Sequence, residues 1–265
     1  MQLTAMFVHP LKSTRGIAFD RAYAGPLGLL HDREWLLATL DGNQITARSH
    51  PQLLRVVVEL LPGGLLLRYP GKPPICALAT AFQRSHPAQV WKDSFEAWHG
   101  DERLDAWFAD IVGGDCRLLW LGARSNRAFK HGADGMSFAD GYPFLLVNQA
   151  SLDDLNRQLE QPVALRNFRP NLVVSGDYPW MEDEWKAIRI GDIEFEVMKP
   201  CTRCVLTTVD PELGEKRADG EPLRTLVRTR RLDEGVCFGV NLRARNAGML
   251  TLGAPLEIVE ERYSF

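Results

Sequence analysis

The chain has 265 residues, enough for one large domain or for two domains that share an interface. Hydrophobic residues make up 45% and charged residues 25% of it, as in ordinary soluble globular proteins. The formal net charge of −3 argues against a general nucleic-acid-binding protein, whose binding surface is usually basic. Five cysteines without framework spacing, no signal peptide and no apolar run of about 20 residues predict a cytoplasmic protein that does not span a membrane.

Residues 1–122 predict a β-rich domain, because short apolar segments alternate with turn residues along this part of the chain. The first strand is predicted at residues 3–8. The Asp-Gly-Asn triplet at residues 41–43 predicts a tight hairpin turn, with the returning strand at residues 44–47. Another strand is predicted at residues 53–61. Short strands with close turns favour a barrel or a sandwich over a parallel sheet.

A helix and a domain junction are predicted next. Asp101 is a favourable N-cap for a helix that ends at the glycine pair at residues 113–114, with apolar residues at helical spacing between them. Residues 124–140 are polar, contain glycines and lack periodicity, which predicts a mobile loop. We therefore expect an N-terminal domain at residues 1–122 and a C-terminal domain at residues 123–265.

Two further helices are predicted in the C-terminal domain. Ser151 is a favourable N-cap, and acidic residues follow it in the first turn. Pro222 suits the first position of an arginine-rich helix at residues 223–231. The arginines at helical spacing are Arg224, Arg228 and Arg231. This basic face is either simply solvated or a docking surface for an acidic electron carrier.

Cys201 and Cys204 follow a predicted strand. Apolar residues alternate with glutamates at residues 193–197, which is the pattern of a half-buried strand. Pro200 cannot donate a ladder hydrogen bond, so an irregular stretch is expected before a returning strand at residues 205–209. Because residues three apart in an extended segment point to opposite faces, we do not expect both thiols to bind one metal ion unless the loop curls back.

Two cations, Lys199 and Arg203, flank these thiols, and neighbouring cations favour a thiolate near neutral pH. Zinc is one alternative, but a closed zinc site needs four ligands and the other cysteines are isolated. A thioredoxin-type dithiol normally opens a helix, whereas this pair is followed by a segment rich in Val and Thr. Two inert buried cysteines are the third alternative.

Residues 199–215, K-P-C-T-R-C-V-L-T-T-V-D-P-E-L-G-E, resemble the hallmark of MOSC-domain proteins, specifically the mitochondrial amidoxime-reducing component and bacterial YcbX-like proteins. The resemblance runs from the first predicted strand to the last. It implies a mainly β (α+β) fold, with an N-terminal β-rich domain packed on a MOSC-type β-barrel and with peripheral helices. It also implies a molybdenum–molybdopterin cofactor (Moco) whose protein ligand to the metal, and catalytic residue, is Cys204.

The same resemblance implies that further cofactor-binding residues lie in separated motifs, with the cofactor where the two domains meet. The motifs are P-L-K-S at residues 10–13, H-D-R-E-W at residues 31–35 and N-F-R-P-N at residues 167–171. The resemblance also implies contacts from the two residues before Cys204 and from one residue in a late strand. The implied cofactor-binding residues are Lys12, Ser13, Arg33, Arg169, Asn171, Thr202, Arg203 and Asn241. From these we predict that the arginines at positions 33 and 169 share one anionic group.

Three departures from the family pattern affect these expectations. Gly141 and Tyr142 stand where mitochondrial members have a Thr/Ser pair that contacts the cofactor, and Asn241 stands where they have a tyrosine near the pterin. Longer YcbX-like proteins append a ferredoxin domain that does not follow residue 265 here. We therefore expect a separate electron donor, either a flavoprotein reductase or a ferredoxin-like protein.

The resemblance implies an oxidoreductase that reduces small N-hydroxylated compounds, such as hydroxylamino-purines or amidoximes, with no nucleic-acid or membrane partner. The alternative is a cofactor carrier or insertion protein without turnover, because MOSC domains also occur in molybdenum-cofactor sulfurases. Reduction of an N-hydroxy compound with an artificial electron donor distinguishes the two.

Overall fold

The computed structural model describes residues 1–130 and 135–262. Strands dominate and three α-helices lie around them, which confirms the predicted mainly β fold with peripheral helices. The elements of the first half are β1 (Gln2–Val8), β2 (Ile17–Ala18), β3 (Arg21–Gly25), β4 (Gly28–Leu29), β5 (Trp35–Ala38), β6 (Val57–Leu61), β7 (Gly64–Tyr69), β8 (Lys72–Leu78), β9 (Arg84–Val90), β10 (Asp93–His99), α1 (Glu102–Val112) and β11 (Arg117–Trp120).

The second half carries the remaining two helices. Its elements are β12 (Phe144–Asn148), α2 (Gln149–Asn156), β13 (Leu172–Ser175), β14 (Trp185–Ile190), β15 (Ile193–Thr202), β16 (Val209–Asp210), β17 (Glu215–Lys216), α3 (Leu223–Thr229), β18 (Arg231–Leu232), β19 (Gly235–Ala244), β20 (Gly248–Thr251) and β21 (Leu256–Glu261). Within the described ranges, no helix is both long and apolar enough to cross a bilayer.

A nine-stranded sheet forms the larger half of the molecule. Its order is β2-β1-β13-β12-β19-β15-β14-β21, and β18 pairs with β19. Leu3 exchanges backbone hydrogen bonds with Gly253 and Ala254, at 2.8 and 2.9 Å, which brings β1 beside the segment leading into β21. The sheet thereby closes into a barrel, and apolar side chains such as Trp185 and Phe195 fill its interior.

The smaller half contains the sheet β5-β11-β10-β9 and the three-stranded sheet β6-β7-β8. Helix α1 packs on their shared core through Leu104 and Phe108, both fully buried. The carboxylate of Asp101 accepts a hydrogen bond from the Arg103 N–H at 3.0 Å, and the helix ends at Gly113 with a φ of 75°. The predicted helix and both of its end signals are confirmed.

The first strand connects the two halves. Although β1 begins the chain, it pairs with β13 inside the barrel, and β3 pairs with β20 near the C-terminal end. The chain then leaves β1 and passes into the smaller half, where Leu11 forms a parallel bridge with Trp35. The residues directly after β1 therefore lie at the contact between the halves, where one of the predicted motifs is found.

The strand predicted at residues 205–209 is wrong. The chain forms a 3-10 turn at Val205–Thr208 there, and only then enters β16. The Thr207 hydroxyl donates to the Cys204 carbonyl at 2.9 Å, and the Thr208 hydroxyl donates to the Val205 carbonyl at 2.8 Å. These local side-chain bonds favour a turn over the strand that a Val- and Thr-rich segment otherwise prefers.

The predicted start of the second helix is also wrong. Its N-cap is Asn148, whose side chain accepts a hydrogen bond from the Ala150 N–H at 3.0 Å. Ser151 lies inside the helix, and its hydroxyl donates to Glu182 at 2.9 Å. An asparagine at the end of a strand was therefore the stronger capping signal.

Three further boundaries differ from the predictions. The returning strand at residues 44–47 is reduced to one isolated bridge, between Ala38 and Gln44. The predicted strand at residues 53–61 is partly a 3-10 turn, Pro51–Arg55, followed by β6. Helix α3 ends at Thr229, so Arg231 belongs to β18. The predicted helical spacing therefore holds only for the two arginines within α3.

The described part of the predicted junction at residues 124–140 is held in place by the hydrogen bonds of one arginine. The Arg127 side chain, 3% exposed, bonds the carboxylate of Asp93 at 2.8 Å and donates to the carbonyls of Ser137 and Ala139 at 2.8 and 2.5 Å. Part of the junction, residues 131–134, lies outside the described residues. The mobility of the junction stays a prediction.

Candidate functional site

A cavity of about 410 Å³ opens between the barrel and the smaller half. All nine residues predicted from the sequence line it: Lys12, Ser13, Arg33, Arg169, Asn171, Thr202, Arg203, Cys204 and Asn241. They come from the segment after β1, the turn before β5, the segment before β13, the end of β15 and the middle of β19. The fold thus brings separated motifs to one concave surface, as small-molecule sites require.

The backbone around this cavity is strained at several positions. Six described residues other than glycine have a positive φ, and four of them line the cavity: Ser13, Arg33, Trp91 and Arg169, with φ of 70°, 52°, 58° and 56°. Each left-handed residue of this kind costs about 1–3 kcal/mol and persists where surrounding contacts hold it. Such residues cluster at functional sites, so the backbone identifies the cavity independently of the motifs.

Arg33 and Arg169 lie against each other at one side of the cavity. Arg33 pairs with Asp32 behind it, donates to the Asn171 side chain at 2.9 Å and donates to the Arg169 carbonyl at 3.3 Å. Arg169 donates to the Thr14 carbonyl at 2.6 Å. Burial and then the charge of Arg33 lower the pKa of Arg169 to about 9. Two arginines whose charges oppose each other at one side of a cavity favour an anionic ligand there.

The charges of Arg33 and Arg169 also act on the pKa of His9, a neighbouring buried residue. Burial, followed by the charges of Arg169 and Arg33, holds the pKa of His9 well below its usual value. The ring of His9 is 4% exposed and its Nδ1 has no hydrogen-bond partner within the described residues. A neutral imidazole adds no further positive charge to this side of the cavity.

The carboxylate of Asp140 connects the side chains of the opposite wall of the cavity. Asp140 accepts hydrogen bonds from Lys12 at 2.6 Å, from Arg48 at 2.8 Å and from the Trp91 indole N–H at 3.1 Å. Burial lowers the pKa of Lys12 to about 8, opposed in part by Asp140. Desolvation raises the pKa of Asp140, but Lys12 and Arg48 together hold it far below its usual value. The carboxylate is therefore ionised at neutral pH.

Positive charge prevails around the cavity. Its cationic lining residues are Lys12, Arg33, Arg48, Arg169, Lys199 and Arg203. Among the described residues, Asp140 is the one acidic side chain that lines it. On a chain whose formal net charge is −3, six lining cations outnumber the carboxylates of Asp140 and of Asp32, which pairs with Arg33 from behind, and make a site for an anionic ligand.

Each cysteine of the C-x-x-C pair contacts its own arginine. Arg48 Nε donates to the Cys204 sulfur at 3.3 Å, and Arg203 Nη1 donates to the Cys201 sulfur at 3.1 Å. Both cysteines line the cavity, because β15 ends at Thr202 and the chain turns before the second thiol. Across residues 1–130 and 135–262, no three His, Cys, Asp or Glu side chains form a metal-binding group, so nothing there supports the zinc alternative.

The positions that depart from the family pattern also line the cavity. The ring of Tyr142 lies 5.6 Å from the Lys199 ammonium, so this tyrosine presents its aromatic face to a cation. Gly141 lies beside it, and Asn241 faces Leu145 and Lys199 across neighbouring strands. A glycine and an aromatic ring therefore form this edge of the cavity.

Three residues of the site were missed from the sequence: Arg48, Trp91 and Asp140. Arg48 contacts a cysteine 156 positions away, and its guanidinium stacks on the Trp91 ring at 4.6 Å from the centroid. No local spacing indicates such contacts. Trp91 lies at the turn between β9 and β10 and is 51% exposed, which only the structure shows.

The comparisons agree with this architecture. The family model for the MOSC N-terminal beta barrel domain matches residues 1–115, and that for the MOSC domain matches residues 133–257. The chain belongs to the family of MOSC-domain proteins, as its resemblance implied. The exact division into residues 1–122 and 123–265 stays a prediction.

Several proteins of known identity are similar to this chain. Mitochondrial amidoxime reducing component 2 of Bos taurus is 31% identical over 277 residues, covering 96% of this chain and 82% of that protein. Mitochondrial amidoxime-reducing component 1 of Mus musculus is 32% identical, covering 96% and 81%. Molybdenum cofactor sulfurase of Oryza sativa subsp. japonica is 30% identical, covering 91% of this chain but 32% of that protein. At family level, these relatives associate the chain with the molybdenum cofactor.

Proposed function

We propose that the chain binds the molybdenum cofactor in this cavity and reduces small N-hydroxylated compounds, such as hydroxylamino-purines or amidoximes. The observation that carries the proposal is the excess of cations around a cavity-lining thiol, Cys204. A molybdopterin has an anionic phosphate and a flat ring with donors and acceptors, and molybdenum takes a soft thiolate. The residues that line the cavity fit each of these groups.

The roles divide by chemistry. Arg33 and Arg169 would hold the phosphate, because both line the cavity and the charge of Arg33 acts on Arg169. Asn171 and Asn241 offer amide donors and acceptors to the pterin ring. Cys204 would be the metal ligand. The remaining cofactor contacts proposed are Lys12, Ser13, Thr202 and Arg203.

The bound cofactor would supply the two-electron chemistry, and the protein positions it. Reduction of the substrate consumes two electrons and two protons, breaks the N–O bond, and releases the amine or amidine together with water. The electrons would come from a separate donor, a flavoprotein reductase or a ferredoxin-like protein. Arg48 holds the Cys204 sulfur by its hydrogen bond and is itself held by Asp140.

Turnover of benzamidoxime tests this proposal. Protein made in a cofactor-competent host should convert benzamidoxime to benzamidine with a reduced dye as electron donor. The Cys204→Ser protein, which retains the cavity, is the matched control and should give only background product. Full molybdenum occupancy without benzamidine formation would contradict the proposed reaction.

A second candidate is a cofactor carrier or insertion protein. The similarity to a molybdenum cofactor sulfurase over 91% of this chain favours it. A carrier should pass its cofactor to an apo-molybdoenzyme in solution without reducing N-hydroxy compounds, whereas the proposed reductase should retain it. The cytoplasmic location and the absence of nucleic-acid partners stay predictions.

A further inference from the structure

A second cavity, of about 390 Å³, adjoins the first. The two cavities share Trp91, Asp140 and Gly141 as lining residues, so these three residues form part of the boundary between them. The far wall of the second cavity includes Phe129 and Met136. None of the predicted cofactor-binding residues lines it.

The second cavity is rigidly built on its described side. The buried side chain of Arg127 bonds Asp93 at 2.8 Å and holds the carbonyls of Ser137 and Ala139. These bonds fix the segment that ends at Asp140, which in turn accepts a hydrogen bond from the indole of Trp91 at 3.1 Å. The shared wall is therefore held by a polar network rather than by loop packing alone.

One guanidinium connects this wall to the thiol. Arg48 stacks on the Trp91 ring, 4.6 Å from its centroid, and its Nε donates to the Cys204 sulfur at 3.3 Å. A molecule lying against Trp91 is thus one side chain away from the proposed metal ligand. A cofactor in the first cavity would leave this direction as a way for a substrate to approach.

The lining of the second cavity suits a flat aromatic group. Indole and phenyl rings pack on aromatic ligands, and a thioether adapts to their edges. Lys92 and Lys130 also line this cavity, while the carboxylate of Asp93 is engaged by Arg127 at 2.8 Å and lies 3.7 Å from the Lys130 ammonium. This charge pattern tolerates neutral or anionic aromatic groups and disfavours cationic ones.

We propose that the second cavity binds the aromatic body of an N-hydroxylated substrate, whose N–O group extends past Trp91 into the first cavity. This inference rests on the proposed function. It narrows the substrate class to flat aromatic or heteroaromatic compounds that are neutral or anionic. It also makes Trp91 a residue that determines specificity.

Steady-state kinetics with two probes tests the inference. Benzamidoxime has an aromatic body and acetamidoxime has none. Trp91→Ala should raise the ratio of the KM for benzamidoxime to the KM for acetamidoxime about tenfold, and Trp91→Phe should largely restore that ratio. Because Trp91 also contacts Arg48, Phe129→Leu serves as a second variant that lines only the second cavity, and it should show the same selectivity more weakly.

Tyr23, a comparably exposed aromatic on β3 outside both cavities, supplies the control variant Tyr23→Leu, which should leave both KM values unchanged. Equal effects of Trp91→Ala on the two probes, or none on either, would overturn the inference. Calorimetric titration of the oxidised holoprotein with benzamidoxime separates this result from failure of the proposed reaction. If the protein binds the compound in a Trp91-dependent way without turnover, the binding site stands and the proposed function fails; binding that ignores Trp91→Ala overturns the site.

Discussion

Two buried polar clusters in this protein differ in their balance of charge. In the smaller half, the Asp105 carboxylate bonds His99 at 2.7 Å, Arg117 at 3.1 Å and the Leu118 N–H at 2.9 Å. Six cationic side chains line the cavity, whereas Asp140 is the one acidic lining residue among the described residues and Asp32 pairs with Arg33 from behind. The first cluster satisfies its own members, whereas the second retains an excess of positive charge.

This difference in charge balance distinguishes a cluster that stabilises the fold from a cluster that binds a ligand. A balanced cluster contributes to folding because its buried charge and donors are paired within the protein. An unbalanced cluster holds charge at a cost, because burial first and then the charge of Arg33 lower the pKa of Arg169, and an anionic ligand offsets that cost. Changes in the two clusters should therefore have opposite effects on stability and on activity.

The largest expected effect lies at the thiol. Cys204→Ser should reduce N-hydroxy reduction to background even if some pterin remains bound, because a hydroxyl is a poor substitute for a soft sulfur ligand. Cys201→Ser, which loses only the contact with Arg203, should keep molybdenum and most of the activity. Molybdenum content and benzamidoxime turnover of both variants measure this. Equal loss from both would contradict a single protein ligand.

The comparison of the clusters is tested by a pair of alanine variants. Arg169→Ala should lower cofactor retention by tenfold or more, since a hydrogen bond to a charged group contributes about 1.5–3 kcal/mol, while urea unfolding of the apo-protein changes little. Arg33→Ala should behave alike. Asp105→Ala should do the reverse, losing about 3 kcal/mol of stability because the buried His99 ring and the buried Leu118 N–H are left without their partner, yet retaining cofactor. A stability loss in Arg169→Ala as large as in Asp105→Ala would remove the distinction.

The pH dependence of stability sharpens the comparison at Lys12. Burial lowers its pKa to about 8 in the folded protein, against 10.5 in the unfolded chain. Between these pH values the unfolded chain binds more protons, so the contribution of Lys12 to stability rises with pH, and the penalty for its charge is fully present below pH 8. The stability advantage of apo Lys12→Met over the wild type should therefore shrink by roughly 2–3 kcal/mol from pH 7.5 to pH 10.5. A constant difference across that range would show that Lys12 carries no such penalty.

The smallest expected effect concerns two exposed arginines on α3, which belong to neither cluster. Arg224 and Arg228 are exposed on α3, make no ion pair within the described part of the chain, and the helix packs on the turn that follows Cys204. Replacing both by glutamate should slow turnover with an acidic protein donor several-fold and remove its dependence on salt. Turnover with a small dye should not change, and Arg68→Glu on β7 is the control. Equal salt profiles for the two donors would remove the docking role.

Sequence reasoning found what lies in local patterns. Alternating apolar residues and turn residues predicted the β-rich fold, and short motifs predicted Lys12, Arg33, Arg169 and Cys204, all of which line one cavity. The turn at residues 205–208 was misread because strand propensity ignores hydroxyl bonds to nearby carbonyls.

The rest of the site depends on contacts between distant segments. Arg48 acquires its role only when the fold places it against a thiol 156 positions away. Trp91 and Asp140 meet it there from two other segments. Neither residue type nor spacing along the chain indicates these side-chain contacts, so this part of the site could be identified only from the three-dimensional structure.

The central claim is that the excess positive charge of the cavity exists to hold an anionic molybdenum cofactor beside Cys204. The most direct test is the molybdenum and pterin content of the full chain purified from a cofactor-competent host, with Asp105→Asn as a matched variant outside the cavity. The account predicts about one molybdenum and one pterin per chain in both proteins, and a marked loss of both in the Arg33→Ala, Arg169→Ala double variant. Folded wild-type protein without molybdenum or pterin from such a host, or equal content in the double variant, would contradict it.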